Sequence, residues 1–522
     1  MRRLAAAAAG VVALAAGAFV ANETLLSEST CSATIAVGAS WDAAYKSASL
    51  GDTLCVASGT HPAQTINYTA AKSSEVDEPD VTFRGTATVQ GLKLNGARHL
   101  TFENLNLEGT VLVECSDTGV PTEAKGQHSV DMTFRGVRMG SFRLENAQRL
   151  LVANSEIGPS STVIKVGASA DDLGANCTDE PPSDITFVGN DIHNFREASA
   201  ASHMECVFVE GVQGLVIRRN IVRGCSVFSI FFKQQLSAGL FGMQDIEVCN
   251  NFLGHPVASA YRSAGPTSIS FSQGNYVNVR VCSNSLGGQL LLRTDLAGWS
   301  ASNFAVEGNL GVERGGACSF PGLTWRLNAW EKTGSGGACP SDIAGGIPLD
   351  WVDRETSTEI NSPTSDPLID YHLAPGAWAI DKASTGQATD FDGQARPMGA
   401  AFDVGADEVG GDDPPPTTTE PPPTTTEPPP TTTEPPPTTT EPPPPLCPGS
   451  SLALTVLAQD ASSITLGWTP PANAAGYRFS RSDQTKRTHT WDPARSSVKF
   501  GKGAECYLVE ALSVSSSGGH PR

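Results

Sequence analysis

Five segments of this chain repeat one template, apolar-x-apolar-x-x-Asn-x-apolar. They are Ile185-Phe187-Asn190-Ile192, Leu215-Ile217-Asn220-Val222, Ile246-Val248-Asn251-Leu253, Val279-Val281-Asn284-Leu286 and, with Gly311 in the last place, Phe304-Val306-Asn309. Period-two apolar residues with a recurring Asn describe one coil of a parallel β-solenoid, which cannot bury its own apolar face and must stack. The template continues upstream, with other residues at the Asn place, through Val81-Phe83-Thr86, Leu100-Phe102-Leu105, Met132-Phe134-Val137 and Leu150-Val152-Ser155, giving nine coils. Stacking sets the Asn residues in a column, where side-chain amides bond along a ladder and satisfy an otherwise orphaned turn. The alternative is a set of unrelated antiparallel strands ending in Asn turns.

Met1-Arg2-Arg3 followed by a small or apolar run from Leu4 to Ala21, with a cleavage site expected at Ala16-Gly17-Ala18, reads as a secretory signal over residues 1–21. No other stretch is apolar and long enough for a membrane span, so a secreted, extracellular protein is expected. Twelve cysteines without a C-x-x-C pair then imply disulfides rather than a metal cluster. The expected pairs are Cys31 with Cys55, Cys318 with Cys339, Cys447 with Cys506, Cys249 with Cys282, Cys115 with Cys177, and Cys206 with Cys225. Cys249 and Cys282 each stand two residues before a ladder Asn, which places them side by side in adjacent coils. The formal net charge of −20 becomes about −22 once Arg2 and Arg3 leave with the leader. Such acidity argues against nucleic acid as a partner, and against a polyanionic polysaccharide unless cations or a local basic patch offset it.

Residues 414–441 are four copies of Pro-Pro-Pro-Thr-Thr-Thr-Glu, within a linker at 412–446. Proline holds such a segment in extended polyproline form, a semi-rigid spacer between a large body and a small module. After it, Ile464-x-Leu466-x-Trp468, Tyr477-x-Phe479, Val498-x-Phe500 and Tyr507-x-Val509-x-Ala511 alternate as half-buried strands. With Trp468 early and Tyr507 late, residues 447–522 resemble a fibronectin type III sandwich whose last strand is replaced by a Ser/Gly-rich run. Ahead of the spacer, Asp370-Tyr371-His372-Leu373-Ala374-Pro375-Gly376, Asp390-Phe391-Asp392-Gly393, Arg396-Pro397 and Asp403-Val404-Gly405-Ala406-Asp407-Glu408 resemble the closing segment of secreted bacterial right-handed β-helix proteins. Gly51-Asp52-Thr53-Leu54-Cys55-Val56 with Gly59-Thr60 resembles their first coil.

The resemblance spans about residues 31–410 and implies the pectate lyase-like superfamily, which includes pectate lyases, alginate lyases and several glycosidases. The expected architecture is all-β: a right-handed parallel β-helix over 31–315, its capping segment over 316–410, and a small β-sandwich beyond the Pro/Thr-rich linker. Asp390-x-Asp392-Gly393 offers carboxylates on a tight turn, as calcium favours, but lacks the later ligands of an EF-hand and reads better as a capping turn.

A second strand row is visible between the ladder strands: Leu92-Leu94, Val111-Val113, Phe142-Leu144, Ile164-Val166, Val207-Val209, Ile230-Phe232, Ile269-Phe271 and Leu290-Leu292. Alternation then points Lys93, Leu112, Arg143, Lys165, Phe208, Phe231, Ser270 and Leu291 outward, followed by a row of Asn95, Glu114, Glu145, Gly167, Glu210, Lys233, Ser272 and Arg293. Long insertions flank these strands on both sides and wall the face, so it is the expected site. In the lyases that the body resembles, the substrate groove lies on the corresponding face.

A lyase of uronate polymers must neutralise a carboxylate and remove the adjacent proton, which asks for a cation or Ca2+ plus a base. Lys233 and Arg293, with Glu210 beside them and His203 or His255 on the walls, offer those groups. The plain alternative is an ion pair of Glu210 with Lys233 between stacked strands, worth little at a surface. A hydrolase instead needs two carboxyl groups at set separations, for which Glu114, Glu145 and Glu210 are the candidates. Glu114 and Glu145 could equally bind calcium, or be compensated by Arg143 and Lys165. Phe208 and Phe231 offer apolar faces for sugar rings, unless a flanking loop covers them; with Arg143 and Lys165 they form the expected substrate-binding set.

No Gly-x-Ser-x-Gly elbow, phosphate loop or His-Glu-x-x-His zinc site occurs, nor do the Asp-Asp and Gly-His signatures of polygalacturonase-like hydrolases. The expected function is therefore a monomeric, secreted carbohydrate-active protein, lyase or glycosidase, acting on polysaccharide or a cell-surface glycan. Two alternatives stand beside it: a non-catalytic adhesion or structural rod, and a degenerate enzyme that binds sugar without turnover.

Overall fold

The computed structural model describes residues 31–410, apart from 74–77, 117–125, 168–180, 200–201, 235–241 and 333–338, and six strands between Thr455 and Ser513. The leader, the linker, Cys177 and the expected pair of Cys447 with Cys506 lie outside the described residues.

The template segments form consecutive members of one twelve-stranded parallel sheet, in which sequence order and spatial order coincide. Registration is strict: Phe83, Phe102, Phe134, Val152, Phe187, Ile217, Val248, Val281, Val306 and Trp325 lie side by side, one per coil. The sheet is longer than the nine segments, with Ala33–Ile35 and Thr53–Val56 ahead of them and Leu323–Arg326 after. Unrelated antiparallel strands are thereby excluded.

The Asn column is formed. Asn190 donates through Nδ2 to Asn220 Oδ1 at 2.9 Å, Asn220 to Asn251 at 3.0 Å, Asn251 to Asn284 at 2.9 Å and Asn284 to Asn309 at 2.9 Å. Asn328, outside the five template segments, extends it, accepting from Asn309 Nδ2 at 2.9 Å. Each Oδ1 also accepts the backbone N–H of the Asn one coil earlier, and each Nδ2 donates to a carbonyl such as Val152 O or Phe187 O. The side chains thus take up turn groups that burial would leave unpaired. Ser155 starts the column, its N–H bonded to Asn190 Oδ1 at 3.0 Å.

The residue before each column position is left-handed: Gly189, Arg219, Asn250, Ser283, Gly308 and Leu327 all have φ between 46 and 67°. A second left-handed series, Asp184, Gly214, Asp245, Asn278 and Asn303, stands just before the first apolar residue of each template. Gly, Asn and Asp tolerate that region best, so these residues set the corners of the coil.

Two further parallel columns complete it. Short strands such as Asp191–His193, Ile221–Arg223 and Phe252–Leu253 follow the Asn corner, and Ile164–Val166, Val207–Val209, Ile230–Phe232 and Thr267–Phe271 form the last face. Longer strands, Asn106–Glu114, Arg138–Leu144 and Ser285–Leu292, run through both.

The interior is stacked like the backbone. Trp41, on the helix Trp41–Ser47, stacks on Phe83 at 4.9 Å, Phe83 on Phe102 at 5.5 Å and Phe102 on Phe134 at 5.0 Å. Near the last strands, Asp342 accepts from the indoles of Trp325 and Trp330 at 2.7 and 3.1 Å. Disulfides join Cys31 to Cys55, Cys206 to Cys225, Cys249 to Cys282 and Cys318 to Cys339, and Cys115 is also bridged.

The segment after the last coil turns back along the short-strand face. Ile347, Trp351, Tyr371, Phe391, Val404 and Ala406 bury against Phe252, Leu310 and Ala329 as a second apolar core. Phe391 stacks on Phe252 at 3.9 Å, Arg219 Nε donates to Phe391 O, and Arg223 pairs with Asp366 at 2.7 Å. Beyond residue 454, the six strands pair antiparallel in two three-stranded sheets.

Candidate functional site

The last face carries the expected outward row. Lys93 pairs in register with Leu112, then Arg143, Lys165, Phe208, Phe231, Ser270 and Leu291. Their flanking neighbours, among them Val207, Val209, Ile230 and Phe232, point into the core, as strand alternation requires. The following row is also one residue per coil. Glu145 N–H donates to Val113 O, Gly167 to Leu144 O, Glu210 to Val166 O, Lys233 to Val209 O, Ser272 to Phe232 O and Arg293 to Phe271 O.

Charges on the face are arranged in pairs. Lys93 bonds Glu114, Arg143 Nε lies 2.6 Å from Glu145, and Lys165 Nζ lies 2.8 Å from Glu210. Glu210 is buried and held by Lys165 of the preceding coil, so the ion pair with Lys233 expected from strand stacking is not the one formed. The reason is reach: Lys165, in the neighbouring outward row, spans diagonally to a carboxylate that the fold buries. Lys233 is half-buried, and no carboxylate pairs with it among the described residues. Arg293 binds Asp295 at 3.0 Å on the exposed loop that follows it.

The aromatic pair is part of a larger stack. Phe208 and Phe231 lie 5.5 Å apart at 17°, and Phe228, from the turn before the strand, stacks on Phe231 at 4.8 Å and 25°. All three residues are half-buried. Phe228 escaped sequence reading because its turn has no period to betray it.

One wall holds a buried-charge cluster. His203 Nδ1 lies 2.5 Å from Glu205 Oε1; the histidine is half exposed and the glutamate buried. Its hydrogen bond to Glu205 holds the His203 pKa above the ordinary imidazole value, against the opposing effect of burial. The ring lies 6.1 Å from Phe228, which ties the dyad to the aromatic stack. Below it, Arg262 Nε pairs with the fully buried Glu197 at 2.5 Å, and Ser259 donates to the same carboxylate, fixing the loop. Glu205 lies two residues from His203, a weak signal by itself. His255 faces elsewhere: its Nδ1 lies 2.6 Å from Pro256 O, its N–H donates to Glu355, and burial lowers its pKa.

No protein-family model and no curated protein matches the sequence. Among solved structures, the chain is similar to the PL6 family alginate lyase AlyGC and to a point mutant of that enzyme. Identities are 13% and 14% and TM-scores 0.27 and 0.30, over 64% of this chain and 56% of the lyase. The matched part is thus a little over half of that enzyme's length.

Proposed function

We propose that this is a secreted carbohydrate-active protein that holds a polysaccharide along the loop-walled face. The observation that carries the reading is the half-buried stack of Phe228, Phe231 and Phe208, with Lys233 two residues beyond Phe231 on the same side of its strand. Flat apolar rings in a line fit the CH faces of successive sugar residues, and a cation beside them fits a uronate carboxylate. The reading carries with it export by the leader at 1–21, a right-handed winding, a monomer, and a fibronectin type III-like accessory module at 447–522 on its spacer.

Of the two chemistries, elimination is better supported than hydrolysis. Glu114, Glu145 and Glu210 are each turned to a cation, so these glutamates do not present the pair of carboxyls that flanks a glycosidic oxygen. For elimination, Lys233 neutralises the uronate carboxylate, joined by Arg293, two coils along, when it exchanges Asp295 for the substrate. His203, oriented by Glu205, accepts the proton from the adjacent carbon; its electron pair becomes the double bond as the glycosidic C–O bond breaks, and the departing oxygen takes a proton from solvent. Glu210, held by Lys165, is a positioning residue in this scheme. Calcium at Glu114 and Glu145 remains a proposal; those carboxylates would first have to leave Lys93 and Arg143.

Assay of the purified protein against pectate, alginate and neutral glycans, with and without calcium, tests the reading. Unsaturated ends absorbing in the ultraviolet are expected, with turnover lost in Lys233→Ala. New reducing ends without unsaturation would replace elimination by hydrolysis. Binding without turnover would leave a glycan-binding rod, and neither binding nor turnover on any glycan would reject the proposal.

A further inference from the structure

The C-terminal segment brings together a second group of ionisable side chains, on the short-strand flank. His372, Asp392 and Asp407 each offer one ligand atom, all within 4.8 Å of one another, and no other such trio of metal-ligating residues occurs among the described residues. They come from three separate stretches: the strand Asp370–Leu373, the turn at 390–393 and the closing turn at 403–408.

The imidazole is aimed. His372 Nδ1 lies 2.5 Å from Asp370 Oδ1, which leaves Nε2 facing Asp392 Oδ2 at 2.8 Å. Phe252 and Phe391 stand edge-on to the ring at 5.0 and 5.7 Å and fix its plane. A carboxylate on the far nitrogen of a histidine is the arrangement that orients metal-bound imidazoles and raises their basicity. Asp407 is buried, one of its oxygens accepting the Leu373 N–H at 2.7 Å.

A further carboxylate stands two residues before Asp392. Asp390 is fully buried, and its Oδ2 has no hydrogen-bond partner among the described residues. Asp370, Asp392 and Asp407 thus face one histidine. The guanidiniums beside them direct their hydrogen bonds to groups other than these carboxylates. Arg219 spends Nε and Nη2 on the carbonyls of Phe391 and Asp392, and Arg396 binds Glu408 and the carbonyls of Asp403 and Gly405.

We infer that His372 Nε2, Asp392 and Asp407 form a binding site for a first-row divalent transition metal, which pins the three stretches of the C-terminal segment to one another. One nitrogen and two oxygens suit zinc or manganese better than calcium, which prefers six or more oxygens. Binding replaces the proton on Nε2 and releases it to solvent, while Nδ1 keeps its proton and its bond to Asp370.

The test uses the full chain, stripped with a chelator and then titrated with zinc and with manganese, by calorimetry and thermal unfolding. One ion per chain and a raised unfolding temperature are expected. Asp392→Asn and His372→Ala should abolish both, and Asp370→Asn should weaken affinity by about 10- to 100-fold while leaving one site. Asp392 is exposed, so its variant keeps the test informative if His372→Ala does not fold. Absence of stoichiometric binding would overturn the site and leave His372 as a cation clamped between Asp370 and Asp392. So would binding that persists unchanged in Asp392→Asn.

Discussion

At the scale of single residues, the later coils rest on the column of buried amides. Asn220 is fully buried, accepts from Asn190 N and Nδ2, and donates to Phe187 O and to Asn251. Asn220→Ala therefore orphans groups on two coils at once. A loss of about 1–3 kcal/mol per orphaned group follows, read as a lower urea midpoint. Asn220→Ala with Asn251→Ala should cost less than the sum of the two, since they share a bond. An unchanged midpoint would show that water does the same work. The column was legible because Asn recurs at one place in the template. The left-handed corners were legible in principle, in Asp184, Gly214, Asp245, Asn278 and Asn303, but Arg219 and Leu327 occupy the same conformation and blur the signal. At Gly189 a Cβ would stand 2.5 Å from Asn154 Oδ1 on a backbone with φ 66°, so a side chain there has to displace that amide.

At the scale of elements, strand alternation was enough to place both outward rows in register, because every slip of one residue would bury Lys93 or Arg143 and expose Phe142 or Leu144. Loops carry no period, so the wall residues Glu197, Glu205, Arg262 and Phe228 could be located only in the structure, as could the diagonal pairing of Lys165 with Glu210. The His203 dyad makes its own prediction. Glu205 raises the His203 pKa above the ordinary value, and a base acts when deprotonated. Turnover should then rise with pH up to that elevated pKa, and Glu205→Gln should move the limb to lower pH. A profile unmoved by Glu205→Gln would remove His203 from the chemistry. Between coils, the Cys249 to Cys282 bridge spans 33 residues, for which about 3–4 kcal/mol of unfolded-state restriction is expected. Replacing both with Ser should lower the unfolding temperature without changing glycan binding; loss of binding would mean that the bridge shapes the site.

At the scale of the whole molecule, the solenoid is a rod with differently employed faces. One is held by the Asn corner and its sheet, one is covered by the returning C-terminal segment, and one carries the outward rows with Phe208 and Phe231. The closing motifs were visible in the sequence, but their place along the flank was not. The contacts that put them there, Phe391 on Phe252 and Arg223 with Asp366, join residues more than a hundred positions apart. No described helix is long and apolar enough to cross a membrane.

The loop-walled face is what the functional account depends on, and the Phe231 ring is its centre. The most direct measurement is the affinity of wild type and Phe231→Ala for the glycan that the assay selects, with circular dichroism confirming an unchanged fold. Loss of at least about tenfold, roughly 1.4 kcal/mol, is predicted, together with an undiminished response to metal at the distant flank. Equal affinity in the two proteins would place the glycan elsewhere and contradict the account.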